Sequence, residues 1–144
     1  MPHEITVRRK IEFGETDMAG IVHFTNYFRY VEVAEAALFE ATGHSLIRSH
    51  EDYHEGWPRV RASSQFQAPL YFGDQIEILL RVTALKIKAI EYQFKIYRLI
   101  PREESLLAAK GKMTTVYAHF HKQSGRMESR PIPKSLADRI RPPA

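Results

Sequence analysis

The sequence predicts an α+β domain in which one antiparallel sheet covers a single long helix. A period-two run opens the chain, one segment of helical spacing follows, and four further alternating runs complete it. The links between those later runs suit hairpins, so the strands meander and must curl around the helix to bury it.

From Ile5 to Phe13 the apolar Ile5, Val7, Ile11 and Phe13 alternate with Thr6, Arg8, Lys10 and Glu12, the pattern of a half-buried strand. Arg9 interrupts the apolar face. A turn-like Gly14 to Gly20 segment leads to Phe24, Tyr27, Phe28, Val31, Ala34, Leu38 and Ala41, which recur at helical spacing. The spacing predicts a helix from Thr25 to Thr42, with Thr25 and Asn26 as cap types and Gly43 as the residue that ends it. A histidine-rich connector, Gly43 to Gly56, is expected to hold a helical turn around Ser45 to Ser49.

Strands are predicted at Val60 to Ala68, Gln75 to Leu85, Ile90 to Ile100 and Leu106 to Phe120. The second places Ile76, Ile78, Leu80, Val82 and Ala84 on one face against Glu77, Arg81 and Thr83 on the other. Pro69 and Phe72-Gly73-Asp74 form one turn, and Lys86 to Lys88 a hairpin. The end of the chain reads as an extended, proline-marked segment closing in a short helix over Ser135 to Ile140.

With 144 residues, 44% hydrophobic and 26% charged, the expectation is one globular domain spanning residues 1–144. No apolar run reaches the roughly 18 to 20 residues of a spanning helix, and the opening stretch is charged and alternating. A cytoplasmic, non-membrane protein is expected. The lack of cysteine excludes a disulfide framework, a thiol nucleophile and a cysteine-ligated metal. The net charge of +4 is compatible with nucleic acid, anionic lipid or an anionic small molecule; it is scattered rather than gathered in a block, so a nucleic-acid tail is not suggested and a phosphate-bearing small molecule fits equally well.

No G-x-S-x-G elbow, P-loop or dinucleotide fingerprint is present. His50-Glu51-Asp52-Tyr53-His54 matches H-E-x-x-H, but its charged surroundings and the nearby Gly56 and Pro58 do not suit a packed helix, so a solvated surface loop is expected and no metal. His119 and His121 share a strand face and read as edge or surface residues, since two ligands do not make a metal site.

The segment from Phe13 to Tyr27 carries Asp17 from a strand end, through a glycine-bounded loop, to a helix start. Free amides and the positive dipole end there can hold a developing oxyanion while a carboxylate attacks or activates water. An aspartate before a helix also serves as a cap or turn residue, so local chemistry leaves Asp17 a candidate.

This segment, Phe13-Gly14-Glu15-Thr16-Asp17-Met18-Ala19-Gly20-Ile21-Val22-His23-Phe24-Thr25-Asn26-Tyr27, resembles the N-terminal signature of the 4-hydroxybenzoyl-CoA thioesterase family, including its YbgC-like members. Pro69, Gly73-Asp74 and the Pro131 to Ile140 end extend the resemblance along the chain. It implies a hotdog fold, an acyl-CoA substrate, no cofactor or metal, and a homo-oligomer, a dimer or tetramer with sites between subunits. It further implies Asp17 as nucleophile or general base and the Phe24 backbone N–H as the group that polarises the carbonyl. His23, Thr25, Asn26 and Tyr27 would contact substrate. Phe24 stands where some members carry a second histidine.

Lys86 and Lys88 occupy the turn where related enzymes carry a basic cluster for the CoA phosphates; equally, they are soluble turn residues. Glu32 and Glu35 are the other carboxylates of interest, Glu32 at a position commonly acidic in the family. The competing expectation is a non-catalytic module that binds acyl-CoA.

Overall fold

The computed structural model describes residues 3–144. Nine strands and two α-helices follow in order: β1 Glu4–Lys10, α1 Asn26–Ala41, β2 Arg48–Ser49, β3 Tyr53–Gly56, β4 Arg59–Phe66, β5 Gln75–Leu85, β6 Ala89–Leu99, β7 Leu106–Val116, β8 Ala118–His121, β9 Met127–Ser129 and α2 Lys134–Ile140. A short 3-10 turn, Phe13–Glu15, lies between β1 and α1.

The larger sheet runs β1-β5-β6-β7-β4, and all its pairings are antiparallel. Ile76, Ile78, Leu80 and Val82 of β5 and Ile90, Tyr92, Phe94 and Ile96 of β6 point to its inner face and are almost wholly buried. Against them α1 lays Tyr27, Tyr30, Val31, Ala34, Leu38 and Phe39, one stripe at three- and four-residue spacing. This is the α+β architecture expected, one helix embraced by one sheet. Gly111 allows the closest approach: a Cβ there would stand 2.0 Å from the Ser63 carbonyl oxygen and 2.7 Å from the Phe94 ring.

The helix begins and ends one residue inside the expected Thr25 to Thr42. Gly43 has φ +80°, the left-handed stop that its position suggests. The first strand ends at Lys10, because the Phe13–Glu15 turn bends the chain toward the helix. The helical turn expected at Ser45 to Ser49 is instead partly strand, β2, since Arg48 and Ser49 pair with Glu55 and His54.

The long strand expected over Leu106 to Phe120 breaks at Tyr117. Its last part, β8, leaves the main sheet and joins a second sheet of order β2-β3-β8-β9. In the sequence the residue types Val116 to His121 still alternate through the break, so periodicity could not reveal it. Trp57 fastens this sheet to the core, its ring 5.2 Å from Phe39 and 5.1 Å from Tyr117.

Glu35 is the one charged residue within the helix stripe and is fully buried. Arg59 grips it with two hydrogen bonds, 2.5 and 3.0 Å, and also bonds the Thr115 hydroxyl at 3.0 Å and Glu32 at 3.2 Å. Burial pushes the Glu35 carboxyl up while Arg59 pulls against that shift. The group joins α1 to β4 and β7.

Removing one partner strands the other in the core. Arg59→Met should cost about 3–5 kcal/mol in denaturant unfolding, and the double variant Glu35→Leu/Arg59→Met should recover most of it.

Candidate active site

The path from β1 to α1 is tied down at nearly every residue. The Asp17 amide bonds the Ile21 carbonyl at 2.8 Å, and the Gly20 amide returns to the Asp17 carbonyl at 3.0 Å. Gly20 has φ +85°, a turn conformation that favours glycine. Val22 then bonds the Leu70 carbonyl, and His23 the Glu15 carbonyl at 2.9 Å. Asp17 sits in this small loop half-buried. One carboxylate oxygen accepts the Ala19 amide at 2.8 Å.

After His23 the backbone turns into the helix, with Asn26 N–H on the His23 carbonyl at 2.9 Å and Tyr27 N–H on the Phe24 carbonyl at 3.3 Å. The Thr25 amide meets the His23 ring. Among the described residues nothing accepts a hydrogen bond from the Phe24 amide. A free N–H at the positive end of a 16-residue helix is a ready anion site.

Asp17 and Phe24 line the same cleft, of about 440 Å³, with Tyr27, Phe66, Ile21 and Pro69 around them. The rings of Tyr27 and Phe66 meet edge-to-face at 4.9 Å. Burial holds the Tyr27 phenol above its ordinary range, so it stays a neutral donor. The cleft is therefore an apolar, aromatic slot with one carboxylate and one free amide at its mouth.

Not every expected residue faces it. Asn26 turns away and donates its side-chain amide to the Glu15 carbonyl at 2.8 Å. His23 and Thr25 are exposed, bonded to each other at 2.7 Å, and the His23 ring stacks on Phe24. Phe66, Gln67, Ala68 and Pro69 close the far wall and were not legible as site residues, because only the Ile21–Tyr71 bridge and the Val22–Leu70 bond bring that link against the Asp17 loop.

Lys86 and Lys88 lie at the opposite end of the sheet. The cleft is at the end holding Gln75, Leu99 and Phe66, while the lysines follow Leu85 beside Ala89 and Val116. The 11 residues of β5 separate the two ends, roughly 33 Å of strand.

The H-E-x-x-H segment is a loop only in part, His50 to Asp52 forming the turn between β2 and β3. Tyr53 and His54 belong to β3, so the two histidines are not one helical turn apart; His50 bonds Glu55 and His54 meets Ser49. Nor is β8 an edge: it runs between β3 and β9, with His119 stacked on Tyr53 and touching the Tyr117 hydroxyl. Among the described residues no three histidine or carboxylate side chains are placed to share a metal ion.

The hub of this second sheet is the buried Glu55. Burial raises its carboxyl, but the Tyr117 hydroxyl, His50 and the Arg48 charge outweigh it and hold the group below the ordinary 4.5. Tyr117 is correspondingly pushed up, first by burial and then by Glu55.

The model of the thioesterase-like superfamily matches residues 11–140, from the end of β1 to the last residue of α2. The chain belongs to this superfamily. Among curated thioesterase relatives, a 1,4-dihydroxy-2-naphthoyl-CoA hydrolase of Synechococcus elongatus is 32% identical over 91% of this chain and 90% of that protein. Among solved thioesterases, a variant of 4-hydroxybenzoyl CoA thioesterase complexed with 4-hydroxybenzoyl CoA superposes with TM-score 0.82 over 96% of this chain and 99% of that one, at 21% identity. A gentisyl-coenzyme A thioesterase, 26% identical, gives 0.75 over 92% and 98%. The fold is thus the hotdog of these thioesterases, as the Phe13 to Tyr27 signature implied.

A lowered carboxyl contributes stability that is present above its unfolded value and lost as pH falls through its folded one. Glu55→Gln should therefore lower stability at neutral pH by about 1–3 kcal/mol, and its gap from wild type should narrow as pH falls through and below the ordinary carboxylate range. Urea midpoints across that range check this.

Proposed function

We propose that the chain is an acyl-CoA thioesterase whose cleft takes the acyl group with its carbonyl between Asp17 and the Phe24 amide. The observation that carries this is the pairing of a half-buried carboxylate with an unbonded helix N-terminal amide in one apolar slot. As the carbonyl carbon becomes tetrahedral its oxygen gains negative charge, which the Phe24 N–H and the helix dipole stabilise. Asp17 either attacks that carbon, forming an anhydride that water then opens, or takes a proton from the attacking water. In both routes the C–S bond breaks, the CoA thiolate leaves and is protonated, and water supplies the acid's new oxygen.

The acyl group that best fits is aromatic. Tyr27, Phe66 and Phe24 offer ring faces and edges to a flat substituent, in keeping with the naphthoyl, hydroxybenzoyl and gentisyl thioesters named for the relatives. A cysteine-free chain working on a CoA thioester suits the cytoplasm.

The working unit is a homodimer, or a tetramer built from it, without metal or cofactor. Strand β4 is an edge of the main sheet, and on it Val60 and Phe66 are 62% and 50% exposed. The other edge, β1, exposes Arg8 and Lys10 and, among the described residues, no large apolar side chain. Antiparallel joining of two β4 edges would bring the cleft of one subunit toward the Lys86 and Lys88 end of its partner. Groups too far apart in one chain are thereby brought together across the dimer, with the acyl group in one cleft and the CoA phosphates toward the partner's lysines.

Asp17→Asn should lower kcat on the best aryl-CoA by on the order of a hundredfold or more in a thiol-release assay; full activity would refute the assignment. On a panel of acyl-CoAs, aryl thioesters should show the highest kcat/KM. Mixing inactive Asp17→Asn with weakly active Lys86→Ala/Lys88→Ala should restore activity through hybrid dimers, whereas a one-chain site would give no gain.

A further inference from the structure

The thioesterase reading assigns no task to Glu15, although five hydrogen bonds converge on it. One carboxylate oxygen accepts the Tyr30 hydroxyl at 3.0 Å and the Glu12 amide at 2.8 Å. The other accepts Arg9 at 2.6 Å. Its backbone carbonyl accepts the His23 amide at 2.9 Å and the Asn26 side chain at 2.8 Å. Arg9 also lies over the Tyr30 ring, 4.9 Å from its centroid. Arg9 and Glu15 are mostly buried, at 22% and 18% side-chain exposure, so solvent does not dilute their attraction as it would at the surface.

These contacts join three elements. Arg9 comes from β1, Glu15 stands two residues before Asp17, and Asn26 and Tyr30 belong to the first turns of α1. The Glu15 carbonyl occupies the His23 amide, and the next amide, that of Phe24, remains free beside the cleft. The carboxylate, clamped from both sides, prevents the Asp17 loop from sliding along the helix axis. Misplacement of a reacting group by about 1 Å can cost roughly a hundredfold in rate.

We infer that Glu15 is a positioning residue of this enzyme, one that sets the distance between the Asp17 carboxylate and the Phe24 amide through Arg9 and Tyr30. The inference rests on the reading of Asp17 and Phe24 as the reacting pair. It accounts for the arginine on the apolar face of β1: Arg9 serves the loop.

The test compares Glu15→Gln, Tyr30→Phe and Asp17→Asn with wild type on the best aryl-CoA, with folding checked by circular dichroism and melting temperature, and with affinity measured for a non-hydrolysable CoA thioether. Glu15→Gln should lose tenfold or more in kcat, and Tyr30→Phe several-fold, while KM and thioether affinity stay within about threefold and both remain folded at the assay temperature. Combining Arg9→Gln with Glu15→Gln should add little to the loss from either alone. If Glu15→Gln fails to fold, Tyr30→Phe, which removes only one hydrogen bond, decides the matter. Unchanged kcat in these folded variants beside an inactive Asp17→Asn overturns the positioning role alone. Full activity of Asp17→Asn overturns the underlying reading as well.

Discussion

The hydrogen bond from the His23 amide to the Glu15 carbonyl fixes where the central helix begins, and the site depends on that choice. A helix start leaves several amides without partners. Here the chain satisfies them one by one, with Glu15, the His23 ring and the His23 carbonyl, until the Phe24 amide is left beside the cleft. The apolar stripe from Tyr27 to Phe39 then locks the helix axis against the sheet, so this free amide cannot drift from the Asp17 loop. Core packing and site geometry are two uses of one helix.

Much of this was legible in the sequence for a physical reason: the main sheet and α1 bury one side, and one-sided burial writes a period. The alternation at Ile76 to Val82 and the stripe at Tyr27, Tyr30, Val31 and Ala34 correspond directly to the inner face and the helix contact. The signature around Asp17 was legible through its resemblance to known thioesterases. What escaped was set by long-range pairing. Nothing local marks Tyr117 as the place where a strand changes sheets, or Arg48 and Ser49 as partners of Glu55 and His54. The far wall of the cleft, Phe66 to Pro69, likewise depends on contacts across more than forty residues. Arg9, an anomaly in an alternating strand, makes sense only beside Glu15 and Tyr30.

The two ends of the molecule divide its polar groups. Near the cleft, ionic contacts organise a loop; at the other end, Glu55 with Tyr117, His50 and Arg48 binds together a second sheet. Between them Glu35 and Arg59 cross the core as a paired charge. Each of these carboxylates thus has a stated partner, whereas among the described residues the Asp17 carboxylate holds only the neighbouring Ala19 amide. A carboxylate kept half-buried with so few internal bonds is suited to act on something that enters from outside.

The proposed site holds a thioester carbonyl between Asp17 and the Phe24 amide. The most direct measurement is a crystal structure of Asp17→Asn with an aryl-CoA bound. The thioester oxygen should lie about 2.7–3.1 Å from the Phe24 nitrogen, with the residue-17 side chain facing the carbonyl carbon. A substrate whose carbonyl lies away from Phe24, with its aryl group outside the Tyr27 and Phe66 slot, would contradict it.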